Sequence, residues 1–171
     1  FFLLFHAGGF CSDEVDIINL SHSSSLSLMM QDSFPILMPL IVKCWSAGLA
    51  QNDFALRTLG LVIGLGMAGA LWLSAWTGRR GPPVLSIILF GLNGVAIFWE
   101  HFLRAYGIGS LLIVLAFSAM SFLLKKPTWR RTLLLAIVNI LSVQALYQNA
   151  VFVAGIAAGG WAVCILRKDK S

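Results

Sequence analysis

Charge is scarce in this chain: Asp, Glu, Lys and Arg make up 11% of its 171 residues, and only seven residues are acidic. An average soluble domain carries about a quarter of its residues as charges, so a water-exposed globule of this size is excluded. Strand-like alternation of apolar and polar residues is also missing, which excludes a membrane barrel. The three cysteines, Cys11, Cys44 and Cys164, are odd in number and lack C-x-x-C spacing. They indicate neither a disulfide framework nor a zinc site. The formal charge of +5 does not point to nucleic acid, because the basic residues fall in short clusters between apolar segments. That distribution reports membrane topology.

What is present is apolar length. Hydrophobic residues make up 58% of the chain and the mean hydropathy is +0.87. Several segments approach the roughly 20 apolar residues a helix needs to cross the hydrocarbon core, and the expected partner is the lipid bilayer. The expected fold is all-α, a polytopic transmembrane helix bundle of about five full spans with a truncated first helix and one short interfacial helix. Residues 1–171 form a single transmembrane module, in which 10–54 make an outer loop holding the interfacial helix. The opening run from Phe1 to Phe10 is too short to span and reads as the outer half of a first helix, so the chain reads as a fragment. A cleaved signal peptide is the rival; no basic residue precedes the run and no A-x-A-like site follows it.

Asn19 to Ser33 is polar and Ser-rich and reads as an irregular or weakly amphipathic surface loop. Phe34-Pro35 opens a helix from Ile36 to about Leu49, since proline suits a first turn. Its roughly 21 Å falls short of the ~30 Å core, so it lies in the interface or dips in and returns. Phe54 to Trp76 crosses, with Gly60, Gly64, Gly66 and Gly69 offering small faces for helix contact. Thr77 to Pro83 turns, Val84 to Trp99 crosses back, and Tyr106 to Leu124 crosses again. Thr132 to Tyr147 and Ala150 to Leu166 form a final hairpin around Gln148-Asn149.

With the basic clusters inside, Arg79, Arg80, Lys125, Lys126, Arg130, Arg131, Arg167, Lys168 and Lys170 share one side. Asp13, Glu14, Asp16, Asp32, Asp53 and Glu100 then share the other. Only Lys43, Arg57 and Arg104 are cations on that acidic side. An arginine near the membrane is costly unless paired with a carboxylate or a phosphate, which its planar fork matches. A carboxylate there can take a proton from an acceptor or hold a divalent cation. The plainer account of the same residues is that Asp13 and Glu14 are solvated loop charges and Arg57 an anchor that snorkels. Tyr106 and the tryptophans near the interfaces are then an aromatic belt.

The order of Asp13-Glu14, Phe34-Pro35-Ile36-Leu37, Asn52-Asp53-Phe54-Ala55-Leu56-Arg57, Gly78-Arg79-Arg80 and Arg104-Ala105-Tyr106 resembles the amino-terminal module of GT-C membrane glycosyltransferases. The type resembled is the dolichyl-phosphate-mannose protein mannosyltransferase and aminoarabinose transferase superfamily, over nearly the whole chain. The resemblance implies a hexosyl- or pentosyltransferase that uses a polyprenyl-phosphate sugar donor, in a bacterial inner membrane with its active site on the outer side. Asp13 is then the catalytic base with Glu14 beside it, and Arg57, Arg104 and Tyr106 meet the donor phosphate. Asp16, Asp32 and Glu100 are supporting or acceptor-side candidates. Glu100 stands four residues before Arg104, where the family commonly has an acid two before. No cofactor is required by this reading, and a divalent cation held by Asp13 and Glu14 is the other role open to the pair. The alternative from a different class is a transporter or channel subunit whose acids form an outer vestibule. Such proteins place ionisable groups near the midplane, and Thr132 to Tyr147 and Ala150 to Leu166 carry none deeper than Tyr147.

Overall fold

The computed structural model describes residues 12–22, 35–48, 53–78, 81–93 and 105–168, and within these every side chain except those of 12–14, 53–55, 57 and 167–168. The described residues form seven helices and no strand: α1 (Ser12–His22), α2 (Leu37–Gly48), α3 (Asp53–Thr77), α4 (Val84–Leu92), α5 (Ala105–Lys125), α6 (Trp129–Ala145) and α7 (Asn149–Lys168). Three stretches within them, Thr58–Thr77, Ala105–Lys125 and Asn149–Leu166, are long and apolar enough to cross a membrane. The all-helical expectation holds; of the expected five spans, three meet this length.

Proline sets several of the boundaries. Pro82-Pro83 precedes α4, and Pro127 separates α5 from α6, because proline lacks an N–H and constrains the residue before it. Two of the expected crossings give helices shorter than the three long ones. One is α4: of the crossing expected from Val84 to Trp99 the described part ends at Asn93, which is extended (φ −74°, ψ 103°) and donates its N–H to Phe90 O, and positions 94–99 lie outside the described residues. Gly91 lies just before that point, and glycine weakens a helix interior by roughly 0.5–1 kcal/mol relative to alanine. The other is α6, which at 17 residues is one longer than the expected Thr132 to Tyr147 and starts three residues earlier, and whose length is about 26 Å.

The amino-terminal expectation needs a correction. Asp13 and Glu14 lie within α1, an eleven-residue helix, and the expected surface loop from Asn19 begins inside it. The cause is docking: Ile17 is 4% and Ser21 3% exposed, and α1 packs on α2. Ser21 Oγ donates to Ile18 O at 2.7 Å, and His22 Nδ1 lies 2.8 Å from the same oxygen, which closes the last turn of α1. An isolated eleven-residue helix would be marginal in water, so this tertiary contact decides it.

At the centre lies α5, packed by α3, α6 and α7, while α2 bridges α3 and α6 and α4 lies against α3. Its buried residues are Gly109, Leu112, Ala116, Ser118 and Ala119. Small side chains there let backbones approach, which matters between membrane helices because lipid tails are as apolar as leucine and no hydrophobic drive joins the helices. By contrast α4 buries no residue, and Leu65, Trp72, Val151, Phe152 and Trp161 stand exposed on α3 and α7. In a bilayer those faces meet acyl chains.

Candidate functional site

The contacts between helices orient the bundle. Leu56 and Leu59 of α3 cluster with Ala105 and Ile108 of α5, and further along a Cβ on Gly66 would lie 3.3 Å from Leu111. Positions rise together on both helices, so α3 and α5 are parallel. The same holds for α5 and α7, since Asn149 meets Gly109 and Gly160 meets Met120. In α6 the order reverses, with Ser142 at the Asn149 end and Arg131 bonded to Phe122 at the other.

One end of the bundle therefore gathers the starts of α3, α5 and α7, the end of α6, and α1 with α2. Ile17, Met38, Val42, Leu56, Leu59 and Ile63 form one buried cluster there, joined by Ile18, Ile41, Trp45, Ala105 and Ile108. Position 13 precedes Ile17 by four residues, the spacing that places two positions on one helical face. Asp16 is exposed, beside Val15. Position 57 sits one residue off the buried stripe of Leu56, Leu59 and Ile63 in the second turn of α3. Tyr106, 37% exposed, occupies the first turn of α5.

The candidate positions 13, 14, 16, 57 and 106 thus share one end, and Arg104 directly precedes α5. The side chains of Asp13, Glu14 and Arg57, and residues Asp32, Glu100 and Arg104, lie outside what the structure describes. Among the described residues no three His, Cys, Asp or Glu come together as a metal centre. Beside the cluster, α2 carries an apolar groove of about 300 Å³ lined by Leu40, Ile41, Cys44 and Trp45. Hydrocarbon fits it; a sugar, with nothing there to hydrogen-bond, does not.

Sequence reasoning missed a buried polar residue at this end that joins three helices. Asn149, 3% exposed, opens α7, and its Nδ2 donates to Gly109 O (3.0 Å), Ser142 Oγ (3.0 Å) and Ser142 O (3.2 Å). It ties α5, α6 and α7 together where a hairpin turn alone was expected. The available signal was an amide flanked by two apolar helices, which must find partners once buried.

No family model matches the chain, and neither a curated protein nor a solved structure is significantly similar to it.

Proposed function

We propose that this chain is the transmembrane module of a GT-C-type glycosyltransferase that moves a sugar from a polyprenyl-phosphate donor to an acceptor at the outer face of a bacterial inner membrane. The observation that carries this reading is the convergence, at one end of the bundle, of the α1 backbone positions 13, 14 and 16, position 57 in the second turn of α3, and the Ala105-Tyr106 start of α5, which Arg104 precedes in the sequence. Such an enzyme needs a base for the acceptor, cations for a lipid-linked phosphate and an apolar path for the isoprenoid, and the groove on α2 suits the last.

In this reading the Asp13 carboxylate takes the proton of an acceptor hydroxyl as its oxygen bonds to the anomeric carbon. The bond from that carbon to the phosphate oxygen breaks, and its electron pair leaves with the polyprenyl phosphate. Arg57 and Arg104 neutralise the departing charge, Tyr106 supports them, and attack from the opposite face inverts the anomeric centre. A divalent cation on Asp13 and Glu14 would instead make activity sensitive to chelators.

A five-span topology is part of the proposal. Parallel α3 and α5 require the chain between Thr77 and Ala105 to travel back along the bundle, about 37 Å for the 25 residues of α3. That return, beginning with α4, together with α3, α5, α6 and α7 makes five passes. The basic residues at the far end are then inside.

The transport reading has one observation in its favour: the Asn139 carboxamide oxygen, midway along α6, is buried without a hydrogen-bond partner. Asp13→Asn in the full-length protein separates the two. Under glycosyl transfer, turnover should fall by roughly two to four orders of magnitude while donor binding survives. Arg57→Ala should weaken donor binding instead, with lysine restoring only part because it lacks the bidentate fork. Unchanged turnover in the first and unchanged donor affinity in the second would sink this reading, and cation flux through proteoliposomes would favour transport.

A further inference from the structure

The opposite end of the bundle holds a cationic corner that the proposed reaction does not use. Lys125 closes α5, Lys126-Pro127-Thr128 turns the chain, and α6 starts at Trp129-Arg130-Arg131. These four basic residues do not have the same job. Arg131 is half-buried, and its Nη1 donates to Phe122 O at 2.6 Å and Lys126 O at 3.2 Å. It satisfies carbonyls at the end of α5, where a cation also meets the negative end of the helix dipole.

Lys125, Lys126 and Arg130 are exposed, and no Asp or Glu occurs anywhere from residue 101 to 168. Their charge is therefore left uncompensated by the hairpin that carries them. Trp129, 71% exposed, stands beside them with the Arg130 guanidinium 5.8 Å from its ring centre. An exposed indole under a guanidinium, at the end of a 21-residue apolar helix, places this corner at headgroup level. Thr128 makes no side-chain cap bond to the first turn of α6, so the helix dipole adds positive potential to that of the side chains.

We propose that the α5–α6 turn binds the phosphate headgroup of an anionic phospholipid, with Lys125, Lys126 and Arg130 as its cationic shell and Trp129 seated against the glycerol and upper acyl region. Three cations on one short turn, held to the end of α5 by Arg131, recognise a phosphate, and the tryptophan supplies the apolar neighbour that a lipid would occupy. This inference needs the apolar helices to sit in a bilayer and is independent of glycosyl transfer, so either can fail alone.

The test uses the full-length protein reconstituted in phosphatidylcholine bilayers containing a minor share of phosphatidylglycerol, with spin-labelled lipids reporting which species is retained at the protein. The wild type should hold the anionic lipid several-fold over the zwitterionic one, and less so at high salt. Each of Lys125→Gln, Lys126→Gln and Arg130→Gln should lower that ratio by up to about fivefold, the equivalent of ~1 kcal/mol per basic residue near a surface. Trp129→Leu, which keeps every charge, should lower it less, and Lys43→Gln at the other end of the bundle should leave it unchanged. An unaltered melting temperature in the triple glutamine variant, in which Arg131 still caps α5, shows that the fold is intact. A ratio near one in the wild type overturns the proposal, as does a triple variant that keeps the wild-type ratio. Displacement of the lipid by millimolar soluble glycerol phosphate also overturns it, since that marks a site for free phosphate.

Discussion

Replacing Asn149 by alanine removes a side chain that joins three helices at one end of the bundle. Its Nδ2 has two hydrogens and three acceptors at 3.0–3.2 Å, so one hydrogen is shared between the two oxygens of Ser142. Hydrogen bonds between membrane helices average about 0.6 kcal/mol and reach about 1.7, so two donor hydrogens are worth roughly 1–3 kcal/mol here. Asn149→Asp should cost more than Asn149→Ala, although aspartate is nearly isosteric. It has no N–H to offer and would set a second oxygen against the carbonyls of Gly109 and Ser142, leaving a buried charge or a forced protonation. The assay is reversible unfolding in mixed micelles by titration with denaturing detergent, followed by tryptophan fluorescence. Midpoints should rank wild type, then alanine, then aspartate. An aspartate variant as stable as the wild type would refute the reasoning, because a carboxyl offers at most one O–H where the amide offers two N–H groups, and of its three partners only the Ser142 hydroxyl can turn to donate.

Two further changes test the packing of α5 in the same assay. Gly109→Ala would bring a Cβ to 3.1 Å from Asn149 Nδ2 and 3.3 Å from Leu146 Cβ, atoms that cannot swing away, and should cost about as much as Asn149→Ala. Gly160→Ala meets the Met120 Sδ at 2.7 Å, the flexible part of a side chain that can rotate, so its cost should stay below about 1 kcal/mol. A reversed order of the two glycines would show that α5 is not held against Asn149. Arg131→Ala takes one of two hydrogen bonds from the Phe122 carbonyl, which keeps the Lys126 N–H at 3.3 Å, takes the Arg131 bond from the Lys126 carbonyl and removes a guanidinium 5.7 Å from the Phe122 ring, and should cost about 1–2 kcal/mol with lysine recovering part. Equal melting temperatures for wild type and alanine at 131 would mean that water already serves those carbonyls.

Helix boundaries were legible wherever a local rule decides them. Apolar length and the prolines at 82, 83 and 127 placed α3, α5 and α7 within a few residues, because spanning length and a missing N–H are properties of a short stretch of chain. The order of Asp13, Arg57, Arg104 and Tyr106 was legible for the same reason, and it raised the candidate site before any contact was known. What the tertiary structure decided depends on residues far apart. Helix α1 is held because Ile17 joins the buried cluster of Met38 and Val42, contacts that no local reading of Ser12 to His22 could supply. Parallel packing of α3 and α5 brings positions 57 and 106 to one end, and it follows from the match of Gly66 to Leu111 and of Leu56 to Ala105. The bond from Asn149 to Gly109 spans 40 residues. A buried amide announces in sequence that it needs partners, but only the packed bundle, by bringing a glycine carbonyl within 3.0 Å, determines which partner it has.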